Sequence, residues 1–353
     1  MALRTRLTEL LGIEQPIVLG GMGRGATVPP MVAAVSEAGG LGVLGVTRYP
    51  ADRVAEQAAA IRAATSRPFG LNLLLFATDD AAIDAVLAEG PAVFSTAWPW
   101  PEQDLRGIFD RAHAAGAKVM HMVAAVDEAK RAAEAGADVI VAQGTEGGGH
   151  VGTVGGMVLV PMVARAVAPV PVAAAGGIAT GAQLAAALML GAEGVLLGTR
   201  FLATAESTWP PSYKRAILES DGHDTELTEI PDIASGAVWP GAFDRARRNL
   251  LISEWAGREN ELRRRRAEVA ARIARAAQED DAERGELNFG QSAGLIDGLG
   301  SCADVVRSLA AEAEQTLREA DRCETYILDA EFSRLLSSRR EMFPRWWLDA
   351  VRS

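Results

Sequence analysis

The run Ala135-Gly-Ala-Asp-Val-Ile-Val-Ala142, continued by Gln143-Gly-Thr-Glu-Gly-Gly-Gly-His150, contains a complete structural unit. Gly136 follows an alanine-rich segment and reads as a left-handed helix cap, and Asp138-Val-Ile-Val141 reads as a short buried strand. A polar, glycine-dense loop follows at the strand's end, the usual place for function. Gly147, Gly148 and Gly149 let the backbone approach a flat ligand where any Cβ would stand in the way, and His150 brings a titratable group to the rim.

The same unit recurs along the chain. Apolar, β-rich runs stand at Pro16-Ile-Val-Leu19, Leu41-Gly-Val-Leu44, Phe69-Gly-Leu-Asn-Leu73, Ala92-Val-Phe-Ser95, Lys118-Val-Met-His121, Asp138-Val-Ile-Val141, Pro171-Val-Ala-Ala174 and Gly194-Val-Leu-Leu197. Alanine-rich segments of helical period separate them. Several of these end in the same punctuation, Ala38-Gly39-Gly40, Ala115-Gly116-Ala117, Ala135-Gly136-Ala137 and Leu190-Gly191-Ala192. Strands that are apolar throughout, alternating with helices, predict a parallel sheet covered on both faces. A closed (β/α)8 TIM barrel over residues 1–205 is the economical arrangement, and a doubly wound open sheet is the second.

Near Ala205 the pattern changes. Residues 206–286 are rich in Trp-Pro, acidic and arginine sequence and predict a mostly helical insertion over the barrel mouth. Arg263-Arg-Arg-Arg266, flanked by Glu259, Glu261 and Glu268, reads as a solvated helix face with partners one turn away. Residues 287–320 return to small residues and to a helix packing on the barrel, and residues 321–353 read as a helical tail.

Composition narrows the function. The 353 residues are 49% hydrophobic and carry a formal net charge of -11, which argues against nucleic acid or an anionic membrane as partner and for a small-molecule substrate. With no signal-like start and no apolar run of spanning length, a cytoplasmic location is the expectation. Two cysteines, Cys302 and Cys323, exclude a disulfide framework, and neither lies near a glycine motif. Gly20-Gly-Met-Gly-Arg-Gly25 lacks the register of a dinucleotide fingerprint, and neither a P-loop nor a Gly-x-Ser-x-Gly elbow occurs.

In a parallel barrel the active site lies at the C-terminal ends of the strands. Gly176 and Gly177 follow the seventh strand, and Gly198 and Thr199 follow the eighth, the loops that commonly form a phosphate site from glycine amides and a helix N-terminus. Trp98 and Trp100, after the fourth strand, could wall a small apolar substrate pocket, as they could serve in packing alone. His121 ends the fifth strand and could face the mouth or bond a neighbouring loop. His113 and His223 read as surface and turn residues, and Glu146 as a brace for its loop.

Three of these motifs, Gln143-Gly-Thr-Glu-Gly-Gly-Gly-His150, Ala173-Ala-Ala-Gly-Gly-Ile-Ala-Thr-Gly181 and Leu196-Leu-Gly-Thr-Arg-Phe201, together resemble the FMN-dependent nitronate monooxygenases, once called 2-nitropropane dioxygenases. Gln15-Pro-Ile-Val-Leu-Gly-Gly-Met22, Gly70-Leu-Asn72 and Gly290-Gln-Ser-Ala-Gly294 extend the likeness over roughly residues 8–317. Flavin-dependent enoyl-acyl-carrier-protein reductases share the pattern. The resemblance implies FMN as cofactor, with Gly21 and Met22 against the isoalloxazine, Asn72 and Gln143 bonding it, and Gly148 and Gly149 beside it. Gly176, Gly177, Gly198 and Thr199 would hold the phosphate. His150 would be the catalytic base, with Gln291 approaching the flavin and Ser292 the substrate. The family loop has alanine where this chain has Gly147, and the tail after about Ala320 has no counterpart.

The chemistry suits these residue types. A nitroalkane is a carbon acid that must lose a proton before it is readily oxidised, and imidazole titrates near neutrality. A flavin accepts electrons from the resulting anion and passes them to dioxygen, and no metal is required. The expectation is oxidation of small alkyl nitronates, propionate 3-nitronate among them, or of nitroalkanes, giving a carbonyl compound and nitrite. An NAD(P)H-dependent flavin reductase of an enoyl thioester or quinone is the alternative, and a non-catalytic flavin-binding protein a third. Assembly as a homo-oligomer is left open.

Overall fold

The computed structural model describes residues 3–327, excepting the side chains of 321–327. Eight parallel strands close into a barrel: β1 (Ile17–Leu19), β2 (Leu41–Gly45), β3 (Phe69–Leu74), β4 (Val93–Ala97), β5 (Lys118–Val123) and β6 (Val139–Gln143), then, past the short β7 (Gly149–Val151), β8 (Val172–Ala175) and β9 (Gly194–Leu197). β9 pairs with β1 at Val18↔Leu196 and closes the ring, so the (β/α)8 expectation holds and the open sheet does not. The four glycines read as helix caps, Gly39, Gly116, Gly136 and Gly191, all have φ between 82° and 104°, the left-handed conformation that stops a helix and launches the next strand.

The strands look uniformly apolar because both of their faces are buried, yet they alternate strictly. Val18, Leu41, Val43, Val93, Met120, Val139, Val141, Ala173 and Ala175 fill the barrel interior. The intervening Ile17, Leu19, Leu44, Phe94, Val119, Ile140, Val172 and Val195 face the helices. Burying each such valine or leucine contributes about 1.5–3 kcal/mol, so this double layer is the main source of rigidity beneath the loops. The helix Arg6–Leu11 puts Leu7 and Leu11 against the interior cluster and seals the floor. The opposite end remains for chemistry.

Residues 206–286 contribute four helices, Pro211–Glu219, Ile230–Ser235, Leu250–Trp255 and Glu259–Gln278. The same residues also supply two strands that the helical reading of the sequence did not include, β10 (Thr225–Thr228) and β11 (Phe243–Arg247). They join β7 in an antiparallel sheet of order β10-β11-β7, so the strand that carries His150 belongs to this second layer and not to the barrel. Ile230, Ile233, Leu251, Ile252, Trp255, Leu262 and Val269 give the layer its own core. Arg263–Arg266 are exposed, and Arg265 bonds Glu261 at 3.2 Å and Glu268 at 2.7 Å, one turn away on either side.

The chain then returns through Leu287 and Phe289 to the helix Cys302–Ile327, which packs on the helix Gly181–Met189. Residues 328–353 of the expected tail lie outside the described residues. Among the described residues no helix is long and apolar enough to cross a membrane.

Candidate active site

Gln143 is the last inward-facing residue of β6, opposite Ala175 in the β6–β8 register. Its Oε1 is buried without a hydrogen-bond partner, an orphan acceptor at the floor of the mouth. An unmet buried acceptor costs about 1–3 kcal/mol, so this oxygen is open to a donor from a bound group. Asn72, inward-facing on β3, donates from Nδ2 to Ser95 Oγ at 3.0 Å. Gly21 lies directly over it, since a Cβ at 21 would sit 2.5 Å from that of Asn72. Met22 runs beside them, its sulfur 3.4 Å from where a Cβ of Gly198 would be.

The loops after β6, β8 and β9 interlock. Gly176 and Gly177 have φ of 86° and 74°, and a Cβ on Gly176 would meet the Gly144 carbonyl oxygen at 2.5 Å. Gly148 packs as tightly against the return segment, 2.4 Å from Gly290 N by the same measure. Gly290 N donates to Thr199 Oγ1 at 2.9 Å, and Gln291 N to the Glu146 carbonyl at 2.9 Å, while the Gln291 side chain is exposed and Ser292 is buried. Glu146 braces its loop, both carboxylate oxygens accepting from Gly156 N at 3.0 Å. The amides that open the helix after β8 are already taken: Ala179 and Thr180 bond Gln183, and Gly181 bonds Glu312. An anion here would therefore meet the glycine turns and the short helix Thr199–Leu202, not the N-terminus of Gly181–Met189.

His150 stands on β7 with Nε2 3.0 Å from both Asp232 oxygens. The carboxylate can only accept, so Nε2 carries a proton, and in the neutral ring the lone pair is on Nδ1. Trp239 covers one face of the imidazole, stacked at 3.4 Å between centroids and 11° between planes. Phe76 lies 4.5 Å from Trp239, Trp98 stands edge-on at 6.3 Å, and Trp100 meets Phe76 at 6.2 Å. Trp98 has φ 53°, a conformation in which a bulky side chain is a true outlier and which functional loops often hold.

His121 does not join this group. It sits on the outer parity of β5, between the interior residues Met120 and Met122, with Nδ1 2.7 Å from Thr96 Oγ1 and its ring 5.5 Å from Phe109 of the helix layer. Burial, then Arg131, push its pKa down to about 3, so it is a neutral core residue and not part of a substrate pocket. His113 bonds Asp138 at 2.8 Å on the surface, and the His223 amide bonds Asp221 in a turn. Burial pushes the Cys302 thiol up to about 12, which leaves no thiolate nucleophile there.

The sequence reading missed Asp232, Trp239 and Asp244. Asp244 faces His150 in the β11–β7 register, so the two side chains share a face of the sheet. It is fully buried, and its oxygens and Asn288 Oδ1 have no hydrogen-bond partner. Burial first, then Glu286 and Asp232, hold its pKa well above the ordinary carboxylate range. The raised pKa favours the protonated acid, whose O–H can donate within this cluster. The unfolded chain releases that proton at about pH 3.9, so from there up to the raised folded value stability falls as pH rises. Asp244→Asn should therefore melt higher than the parent near neutrality, the gain shrinking toward pH 4 in thermal unfolding scans.

Comparison with known proteins agrees with this architecture. The family model described as nitronate monooxygenase matches residues 4–89 and 77–312. A (3aS,4S,5R,7aS)-5-hydroxy-7a-methyl-1-oxo-octahydro-1H-indene-4-carboxyl-CoA dehydrogenase of Mycobacterium tuberculosis is 36% identical, over 91% of this chain and 99% of its own length. A probable nitronate monooxygenase of Staphylococcus saprophyticus is 33% identical, over 65% of this chain and 77% of its own. Among solved structures, FabK from Thermotoga maritima superposes with a TM-score of 0.80 at 36% identity, covering 90% of this chain and 98% of that one. Nitroalkane oxidase from Streptomyces ansochromogenes gives 0.76 at 30% identity, over 89% and 99%. An enzyme barrel with its glycine loops and histidine in these positions, matched over most of its length, belongs to the nitronate monooxygenase family.

Proposed function

We propose that this chain oxidises small nitronates, propionate 3-nitronate among them, or nitroalkanes, with dioxygen, to a carbonyl compound and nitrite, using FMN and His150 as base. The observation that carries this reading is the contact of His150 with Asp232: with Nε2 bonded to the carboxylate, Nδ1 of the neutral ring is the atom left to take a proton from the carbon beside a nitro group. As the imidazole becomes cationic, the adjacent carboxylate balances the charge. When bound, FMN supplies the electron acceptor and the route to dioxygen.

The residues present fit that cofactor. The orphan Oε1 of Gln143 suits an N–H at the edge of a flavin ring, and Gly21, Met22, Asn72, Gly148 and Gly149 would surround the ring with Gln291 beside it. Gly176, Gly177, Gly198 and Thr199 would hold the phosphate on turns packed so closely against Gly144 and Glu146 that a Cβ at 176 or 177 would push them apart. Trp98, Trp100 and Ser292 would border the substrate. Asp232→Ala should lower kcat on neutral nitroalkanes by roughly ten- to a hundredfold, because the base loses the group that orients it. Flavin content, read from visible absorbance, should be unchanged.

A second reading has its own support. The CoA dehydrogenase relative matches this chain over 99% of its length, and removal of a proton beside a thioester carbonyl asks the same of His150. Anaerobic mixing of the flavin-loaded protein separates the readings. Bleaching by a nitronate and not by NADH or an acyl-CoA supports the first, bleaching by a saturated acyl-CoA the second, and rapid bleaching by NADH overturns both in favour of a reductase.

A further inference from the structure

The lone pair on Nδ1 of His150 lies in the ring plane, so the reacting carbon must approach along that plane and its substituents must go to one face of the imidazole or the other. On one face lies an apolar slot formed by Leu74, Phe76, Ala97, Trp98, Met122 and Ala124. Ala97, Trp98 and Ala124 are 1%, 7% and 7% exposed, so the slot is filled, and the group that fills it is the indole of Trp239, between Phe76 at 4.5 Å and His150 at 3.4 Å.

Trp239 does not belong to the barrel. It rides on a short loop bounded by Gly236 and Gly241, with φ of 73° and 76°, and its neighbour Val238 is 70% exposed. Left-handed glycines at both ends let such a loop change direction at little conformational cost, and apart from the indole itself the stretch between them is at most half-buried, so a ligand that replaces the indole's contacts can displace it. The other wall residues stand on or just after barrel strands and have no such freedom.

We infer that Trp239 is a removable plug: seated, it restricts the site to substrates with small alkyl substituents, and displaced, it opens a flat apolar slot for a ring-bearing substituent of about indole size. The inference rests on the reading of His150 as the base for the choice of reactive substrate, and on the slot alone for binding. The ring-bearing class is that of alicyclic carbon acids, nitro compounds or acyl derivatives, whose apolar body would replace the indole against Phe76 and Trp98.

Two measurements test it. The kcat/KM values for the nitronates of nitrocyclohexane and nitroethane are compared in the parent, Trp239→Phe and Trp239→Ala. The cyclic-to-ethyl ratio should rise about tenfold or more in Trp239→Ala, with Trp239→Phe between, since filling or vacating an apolar pocket changes selectivity on that scale. An unchanged or lower ratio overturns the plug. Separately, cyclohexanecarboxylate and propionate are titrated without turnover while tryptophan fluorescence is followed. The cyclic acid should change the parent's emission several-fold more than that of Trp239→Phe, in which Trp98 still reports the slot, with propionate silent in both; an equal response in the two proteins overturns the plug. If neither nitronate turns over while the fluorescence pattern appears, the nitronate reading falls and the plug stands.

Discussion

His150→Asn should purify yellow and folded, yet lose roughly 10²–10⁴-fold in kcat/KM on a neutral nitroalkane, the span that general-base catalysis ordinarily supplies. A thousandfold loss corresponds to about 4 kcal/mol of transition-state stabilisation. The amide nitrogen of asparagine takes the place of Nδ1 and does not reach Asp232 as Nε2 now does at 3.0 Å, and the amide is not basic enough to accept the substrate's proton. Flavin retention should survive because the proposed ring and phosphate contacts come from Asn72, Gln143 and the glycine turns. On a nitronate added already ionised the loss should be only a few-fold, since the proton has left before binding. The ratio of the two losses is the informative number. Parent-like activity of the variant on the neutral substrate would remove His150 from the role of base.

The barrel was legible in the sequence because parallel strands buried on both faces leave short, unbroken apolar runs, and because Gly39, Gly116, Gly136 and Gly191 mark the helix ends. The same uniformity hid which residues face inward. In Lys118–Val123 every position after the lysine could serve either side, and a single step of parity puts His121 against Phe109 instead of the mouth. The second layer was less legible still. Thr225-Glu-Leu-Thr228 and Phe243-Asp-Arg-Ala-Arg247 carry the charges of a surface segment, yet Asp244 and Arg245 are buried, and Arg245 bonds the Thr145 carbonyl at 2.8 Å beneath the glycine loop. Asp232 lies 82 residues from His150, in a stretch without a motif, and only the pairing of β11 with β7 brings that segment to the imidazole. The sequence therefore singled out residues that share local motifs, and it did not single out Asp232, Trp239 or Asp244, which only the fold brings to His150.

Gly176→Ala should yield a folded protein that purifies nearly colourless, its affinity for flavin reduced more than about a hundredfold. Two effects act at one atom. The backbone at Gly176 has φ 86°, where an alanine costs on the order of 1–2 kcal/mol by itself. The added carbon would also meet Gly144 O at 2.5 Å and the amide nitrogens of Gly144 and Gly147 at 3.1 Å, all backbone atoms that cannot swing aside. Relief requires the loop after β8 to separate from the loop after β6, and these are the two turns on which the proposed phosphate and ring contacts depend. β8 ends at Ala175, one residue earlier, so the barrel hydrogen bonds need not break. Gly116→Ala is the control: its φ of 82° imposes a similar backbone cost, but no atom lies within 4 Å of the new carbon and the position is a helix cap away from the glycine loops. It should lose a comparable increment of thermal stability and keep its flavin, measured as the ratio of visible to ultraviolet absorbance. Equal flavin content in the two variants would move the cofactor away from this turn.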